Sequence, residues 1–153
     1  MTIRVAEISE AVGIVTLINA AFRIEKFFVD GDRINLDQVL SMFPKGEFLM
    51  VDDDGAPAGC VYVERRGERA YFGLLSIDPT RQRSGLGSRL VAAAEQWGRE
   101  KGCRFMDLRI VNLREELPAF YQRLGYVEDG ADPFPPDTPT KLPCHFVNMS
   151  KAL

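Results

Sequence analysis

The stretch Leu75-Ser76-Ile77-Asp78-Pro79-Thr80-Arg81-Gln82-Arg83-Ser84-Gly85-Leu86-Gly87-Ser88-Arg89-Leu90 holds the residue types most able to do chemistry. Its start is apolar, its middle is turn-forming and basic, and its end takes up helical spacing, so a strand runs through a loop into a helix. Such a junction binds anions. The first amides of a helix have no intrahelical partner and carry the positive end of its dipole. Gly85 and Gly87 let the backbone come close to a bulky diphosphate, and Arg81 and Arg83 add positive charge.

Two phosphate-binding patterns fail here. A P-loop needs Lys followed by Ser or Thr after its second glycine, whereas Ser88-Arg89 follow Gly87. A dinucleotide fold needs a third glycine where Leu90 stands, in a longer chain than this one.

The elements that must position this loop follow from hydrophobic spacing. Residues 3–6 read as a strand, Ser9 as the cap of a helix with Ile14, Leu17, Ile18, Ala21 and Phe22 on its apolar face, and Asn35 or Asp37 as the start of a second helix. Residues 47–51 and 58–64 flank Asp52-Asp53-Asp54-Gly55 as a hairpin, and residues 69–77 form the next strand. A helix over 85–102 then leads to a strand over 104–111. That strand–helix–strand order is a right-handed crossover between parallel neighbours, so the sheet is mixed. A short helix over 115–124 follows, with Pro118 in its first turn and Gly125 ending it, then strands from 126 and 144 around a proline-bearing loop over 132–143. The 153 residues make one domain, 1–153, of the α/β class in its α+β form.

Gln82-Arg83-Ser84-Gly85-Leu86-Gly87 fits the Q/R-x-x-G-x-G/A diphosphate pattern, and Ala119-Phe120-Tyr121-Gln122-Arg123-Leu124-Gly125-Tyr126 follows downstream. With two helices ahead of the hairpin, this order resembles the GNAT acyltransferases, in particular bacterial-type members. The resemblance implies a mixed central sheet of about six to seven strands, splayed between its two central parallel strands and flanked by about four helices. It also implies acetyl-CoA as co-substrate, with pantetheine lying in the gap as an added strand. Leu75 and Ile77 would offer main-chain partners to pantetheine, and Gln82, Arg83, Ser84, Gly85, Leu86, Gly87 and Ser88 would cradle the diphosphate. Asn112 matches a coenzyme-contacting position, although it precedes Tyr121 by nine residues, a longer interval than the family pattern leads one to expect.

By the same resemblance, Tyr121 is the general acid that protonates the departing thiolate. The strand before the loop, Ala70-Tyr71-Phe72-Gly73-Leu74-Leu75, has no carboxylate where relatives often carry a Glu. Glu64, Asp107 and His145 are the base candidates, and a base acting through water is the other option. An unperturbed imidazole titrates near ~6.5, which favours His145, yet a lone His is more often structural. Phe27, Phe28 and Phe134 could hold an apolar acceptor, while Asp30 could attract a cationic one. The expected reaction is transfer of acetyl to a primary amine of a small molecule or peptide by direct attack on the thioester. The rival is a non-catalytic acyl-CoA sensor that keeps the loop without turnover.

Composition bounds the rest. Hydrophobic residues at 46% and charged residues at 27% exclude general disorder, and a net charge of −3 argues against a nucleic-acid-binding domain with a massed basic face. The apolar stretch over 11–22 is broken by polar residues and follows acids rather than bases, so neither an export signal nor a membrane span is expected. Cys60, Cys103 and Cys144 are scattered and His145 is the single histidine, so no metal site is expected and the setting is taken as reducing and cytoplasmic. Relatives commonly form homodimers, although no apolar stripe marks an interface here.

Overall fold

The computed structural model describes residues 2–81 and 85–153, which form seven strands and four α-helices. In chain order these are β1 (Ile3–Val5), α1 (Ala11–Ala21), α2 (Leu36–Met42), β2 (Gly46–Asp53), β3 (Ala56–Arg66), β4 (Arg69–Ile77), α3 (Leu86–Glu100), β5 (Phe105–Val111), α4 (Leu117–Arg123), β6 (Val127–Pro133) and β7 (His145–Ala152). The strands make one mixed sheet in the order β1-β2-β3-β4-β5-β7-β6. Only β4 and β5 run parallel, joined by the crossover through α3.

Local chemistry explains most of the boundaries. Asp54 and Gly55 both take positive φ between β2 and β3, the geometry a tight hairpin turn demands. Of the two expected starts for α2, the cap is Asn35: its side chain accepts from the Gln38 amide, and the Gln38 side chain accepts from the Asn35 amide, each at 2.9 Å. The first helix starts differently from the expectation at Ser9. A 3-10 turn over Ile8–Glu10 precedes it, and the Glu10 carboxylate accepts from the Glu7 amide at 2.8 Å and from Arg4 at 2.7 Å. A carboxylate that reaches back to an upstream amide and also binds an arginine outcompetes the Ser9 hydroxyl.

The alternation along β2 and β3 sorts two cores onto the two faces of the sheet. Leu49, Val51, Val61 and Val63 join Phe72, Leu90, Val91, Met106 and Tyr121 on the α3 and α4 side. Phe48, Met50, Cys60 and Tyr62 join Ile14, Ile18 and Val39 on the α1 and α2 side. These strands read as near-continuous apolar runs because both of their faces are covered.

The feature that positions the site is the divergence of β4 from β5. They pair only through Arg69↔Phe105, Ala70↔Met106 and Tyr71↔Asp107. Beyond Tyr71, β4 follows β3 as far as Gly59↔Ile77, while β5 follows β7 as far as Val111↔Phe146. A bulge drives β4 away: Cys60 pairs with Ser76 but Tyr62 with Gly73, so Leu74 and Leu75 together oppose Val61, and Leu74 takes φ +55°. An extra residue on one strand bends it and increases its twist. The expected gap therefore lies between the two central strands.

The proline segment departs from the expected loop at its start. Asp132 and Pro133 complete β6, where Pro133 is tolerated because β6 is the edge strand. The remainder is fastened to the α1–α2 connection through a Val29↔Thr140 bridge and a Lys141 amide donating to Phe28 O at 2.7 Å. Among the described residues no helix is long and apolar enough to cross a membrane.

Candidate active site

Divergence of the two strands opens a cavity of about 290 Å3 whose walls are β4 residues 71–75 on one side and β5 residues 108–111 on the other. Phe120 and Tyr121 of α4, together with Glu25, Arg33 and Phe146, complete its lining. A groove of about 560 Å3 continues from Leu75 and Ile77 to Gly85, Leu86, Gly87 and Ser88 at the start of α3, flanked by Arg114 and Arg123.

Gln82, Arg83 and Ser84 lie outside the described residues. The rest of the glycine loop is in place. Gly85 holds φ +79°, a left-handed conformation that suits glycine, and its carbonyl accepts the first helical amide, that of Arg89, at 3.2 Å. The preceding amides of α3 therefore face the groove without helical partners. A side chain at Gly87 would make only ordinary contact with Phe120, so packing alone does not require glycine there. Arg81 is bound to Asp53 at 3.0 Å and Asp78 at 3.2 Å, so it braces the turn.

Tyr121 is 5% exposed, packed edge-on against Phe120 and Tyr126 and tilted against Phe72. Burial pushes its hydroxyl well above the usual tyrosine range. Among the described residues nothing hydrogen-bonds this hydroxyl, yet no buried side-chain polar atom is left without a partner, so the hydroxyl opens on the cavity. A protonated phenol that faces a cleft with no competing acceptor can donate to a developing anion.

None of the three expected bases lines this cavity. Glu64 accepts from Tyr62 at 2.7 Å and from Arg66; burial opposes its charge, but these bonds outweigh it and hold the carboxyl below the usual range. Asp107 is clamped by Arg69 at 2.6 and 2.7 Å. His145 is exposed at the start of β7. Asn112 uses its side-chain oxygen to accept from the His145 amide at 2.8 Å, and its own amide donates back to His145 O at 3.0 Å. Its side chain thus fastens the start of β7 to the end of β5.

The expected acceptor residues separate. Asp30 and Phe134 share a cavity of about 420 Å3 with Glu25, Arg33 and Phe146, beside the cleft. Phe28 has no exposed surface, so it supports the wall and cannot touch a ligand without rearrangement. Phe27 is half exposed and packs edge-on against Phe28 at 4.7 Å.

Sequence reasoning missed Glu25. Its carboxylate is buried, lines both the cleft and the neighbouring cavity, and accepts from Arg114 at 2.9 Å. Burial raises its proton affinity, and the Arg114 hydrogen bond only partly offsets this. Nothing local marks it: Phe22–Phe27 forms a 3-10 turn, and the partner is 89 residues away.

Comparison with known proteins agrees with this geometry. Residues 13–126 match the acetyltransferase (GNAT) family. Over 93 residues the chain is 30% identical to a probable glucosamine 6-phosphate N-acetyltransferase 2 of Oryza sativa subsp. japonica, covering 54% of each, so it spans about half the length of that curated relative. The fold is similar to a crystal structure of ribosomal-protein-alanine N-acetyltransferase from Brucella melitensis, with TM-score 0.80, 14% identity and full coverage of both chains. It is also similar to yncA from Salmonella typhimurium, solved with its cofactor acetyl-CoA, with TM-score 0.78, 19% identity and coverage of 100% and 94%.

Proposed function

The chain belongs to the acetyltransferase (GNAT) family, and from that premise we propose that it moves acetyl from acetyl-CoA to a primary amine of a small molecule or peptide. The observation that carries the reading is the cleft between β4 and β5, into which the unpartnered Tyr121 hydroxyl opens.

The thioester arm lies along β4 beside Leu75 and Ile77, whose main chain supplies partners where β5 has turned away. The amides of Gly85, Leu86, Gly87 and Ser88 hold the diphosphate, with Arg114 and Arg123 on the flank. In this reading the acetyl group lies beside the Leu74–Leu75 bulge, and since an extra residue on one strand disrupts the ladder locally, a main-chain amide there is the group proposed to stabilise the oxyanion. The amine nitrogen attacks the carbonyl carbon, the C–N bond forms and the C–S bond breaks, and Tyr121 gives its proton to the thiolate.

Glu25 takes the proton released by the amine, directly or through one water. It is the carboxylate lining the cleft, and burial has raised its proton affinity. Glu64 and Asp107 are bound to arginines outside that cavity and serve the sheet instead.

The deciding experiment is acetyl-CoA-dependent thiol release against a panel of primary amines, with product mass confirming one added acetyl group. Turnover with any amine supports the reading. Tight coenzyme binding with no release across the panel overturns it in favour of a non-catalytic acyl-CoA module.

A further inference from the structure

Guanidinium groups from three elements gather round Tyr71 on the wall of the cleft. Arg66 of β3 lies over its ring at 4.1 Å, while Arg33, from the α1–α2 connection, and Arg109, from β5, line the cleft with it. Their charges are not equally engaged. Arg66 is bound to Glu64, and Arg109 is bound to Asp132 at 2.7 Å while its guanidinium lies 4.4 Å from the Phe146 ring. Arg33 has no carboxylate partner among the described residues; its guanidinium lies 5.4 Å from the Phe22 ring.

The carboxylate that lines this cavity, Glu25, is bound to Arg114, which Glu116 shares at 2.7 Å, and Arg33 acts on it through space without a hydrogen bond. Arg33 is thus the guanidinium of the cleft wall with no carboxylate bound to it among the described residues, in a chain whose net charge is −3. The acids nearest Arg33 are engaged elsewhere: Asp30 faces Lys141 and Asp32 faces Lys26, each at 3.8 Å, while Asp107, Asp129 and Asp132 line the adjoining cavity on the other side of Tyr71. The Tyr71 hydroxyl adds a donor. Among the described residues it has no hydrogen-bond partner, and no buried side-chain polar atom lacks one, so it is open to solvent space where Tyr71 separates the cleft from the adjoining cavity.

We propose that the acceptor amine carries an anionic group, a carboxylate or a phosphate, which Arg33 and Arg109 hold beside the Tyr71 hydroxyl while the amine points toward Tyr121 and Glu25. This rests on the acetyl-transfer reading and narrows it to small anionic amines. Guanidinium forks match both anions bidentately, and a cationic polyamine would meet like charge at the same place.

Matched pairs test it: β-alanine against β-alaninamide, and phosphoethanolamine against ethanolamine, with putrescine as a dication. Each is measured for kcat/KM and, by calorimetry, for binding to the coenzyme A-loaded protein. The anionic member of at least one pair should be favoured about ten-fold or more, and the pair showing the larger ratio identifies carboxylate or phosphate. Arg33→Gln should bring that ratio close to one, and Arg23→Gln should leave it unchanged. Equal or better use of the neutral members, preference for putrescine, or loss of both members together in Arg33→Gln overturns the proposal. Arg33-dependent binding of the anionic member without acetylation of any amine upholds the anion site and overturns the transferase reading, so the two failures are distinct.

Discussion

Replacing Tyr121 by Phe removes one oxygen and leaves every ring contact in place. The aromatic cluster is made by the ring, at centroid distances of 5.0 Å to Phe120, 5.9 Å to Phe72 and 6.0 Å to Tyr126. Because the hydroxyl bonds nothing among the described residues, its removal breaks no internal hydrogen bond, and stability should change by less than about 0.5 kcal/mol. Catalysis should respond quite differently. A positioned general acid contributes roughly 10²–10⁴-fold, equivalent to about 3–5.5 kcal/mol of barrier at ~1.4 kcal/mol per decade. The assay is steady-state thiol release alongside a thermal melt, with KM for acetyl-CoA measured separately. The expected result is a large fall in kcat with unchanged melting temperature and nearly unchanged coenzyme KM. Since burial raises this hydroxyl's proton affinity, wild-type kcat should also hold on the alkaline side to beyond the ordinary tyrosine value of about 10. A kcat within about three-fold of wild type, or a loss that follows the melting temperature, would refute the assignment.

Glu25→Gln should remove the acid limb of the kcat/KM profile, a limb lying above the ordinary carboxylate range because burial raises the wild-type group; an unchanged profile would rule Glu25 out as base. Gly46→Ala would put a Cβ 2.1 Å from the Val63 carbonyl oxygen, and because that neighbour is backbone, about 1–3 kcal/mol of stability should be lost in denaturant titration. Arg4 holds the Glu10 carboxyl below its ordinary 4.5, so its contribution to stability is present above that value and is lost as pH falls through the lower folded value. Melting temperature should therefore fall on acidification, less steeply in Glu10→Gln. Cys60 is fully buried and its thiol is pushed up to about 12 by desolvation, so iodoacetamide should leave it unmodified in the native protein and label it in denaturant.

What could be read in the sequence was local. The hairpin turn at Asp54-Gly55, the crossover through α3, Pro118 in the first turn of α4 and the stop at Gly125 are set by residues within a few positions of one another. The candidate site was legible where it shares that locality: residues 85–88 and Tyr121 line the groove and the cleft that the sequence led one to expect. It was not legible where partners are distant. Glu25 depends on Arg114 for its placement, and the engagement of Glu64 and Asp107 depends on arginines that only strand pairing brings within reach. The bulge escaped notice for a different reason. It puts Leu74, not the adjacent Gly73, at positive φ, where the residue type gives no warning.

The bridge between Val29 and Thr140, with the Lys141 bonds on either side, joins two loops far apart in sequence into a single arch beside the cavity that Asp30 and Phe134 line. Neither half of that arch can be exchanged alone. A graft that replaces residues 22–34 without residues 134–144 would take away the Asp30 amide that Pro139 O now accepts from and the Phe28 O that the Lys141 amide now donates to. Redesign of this face of the protein must treat the two as one cassette.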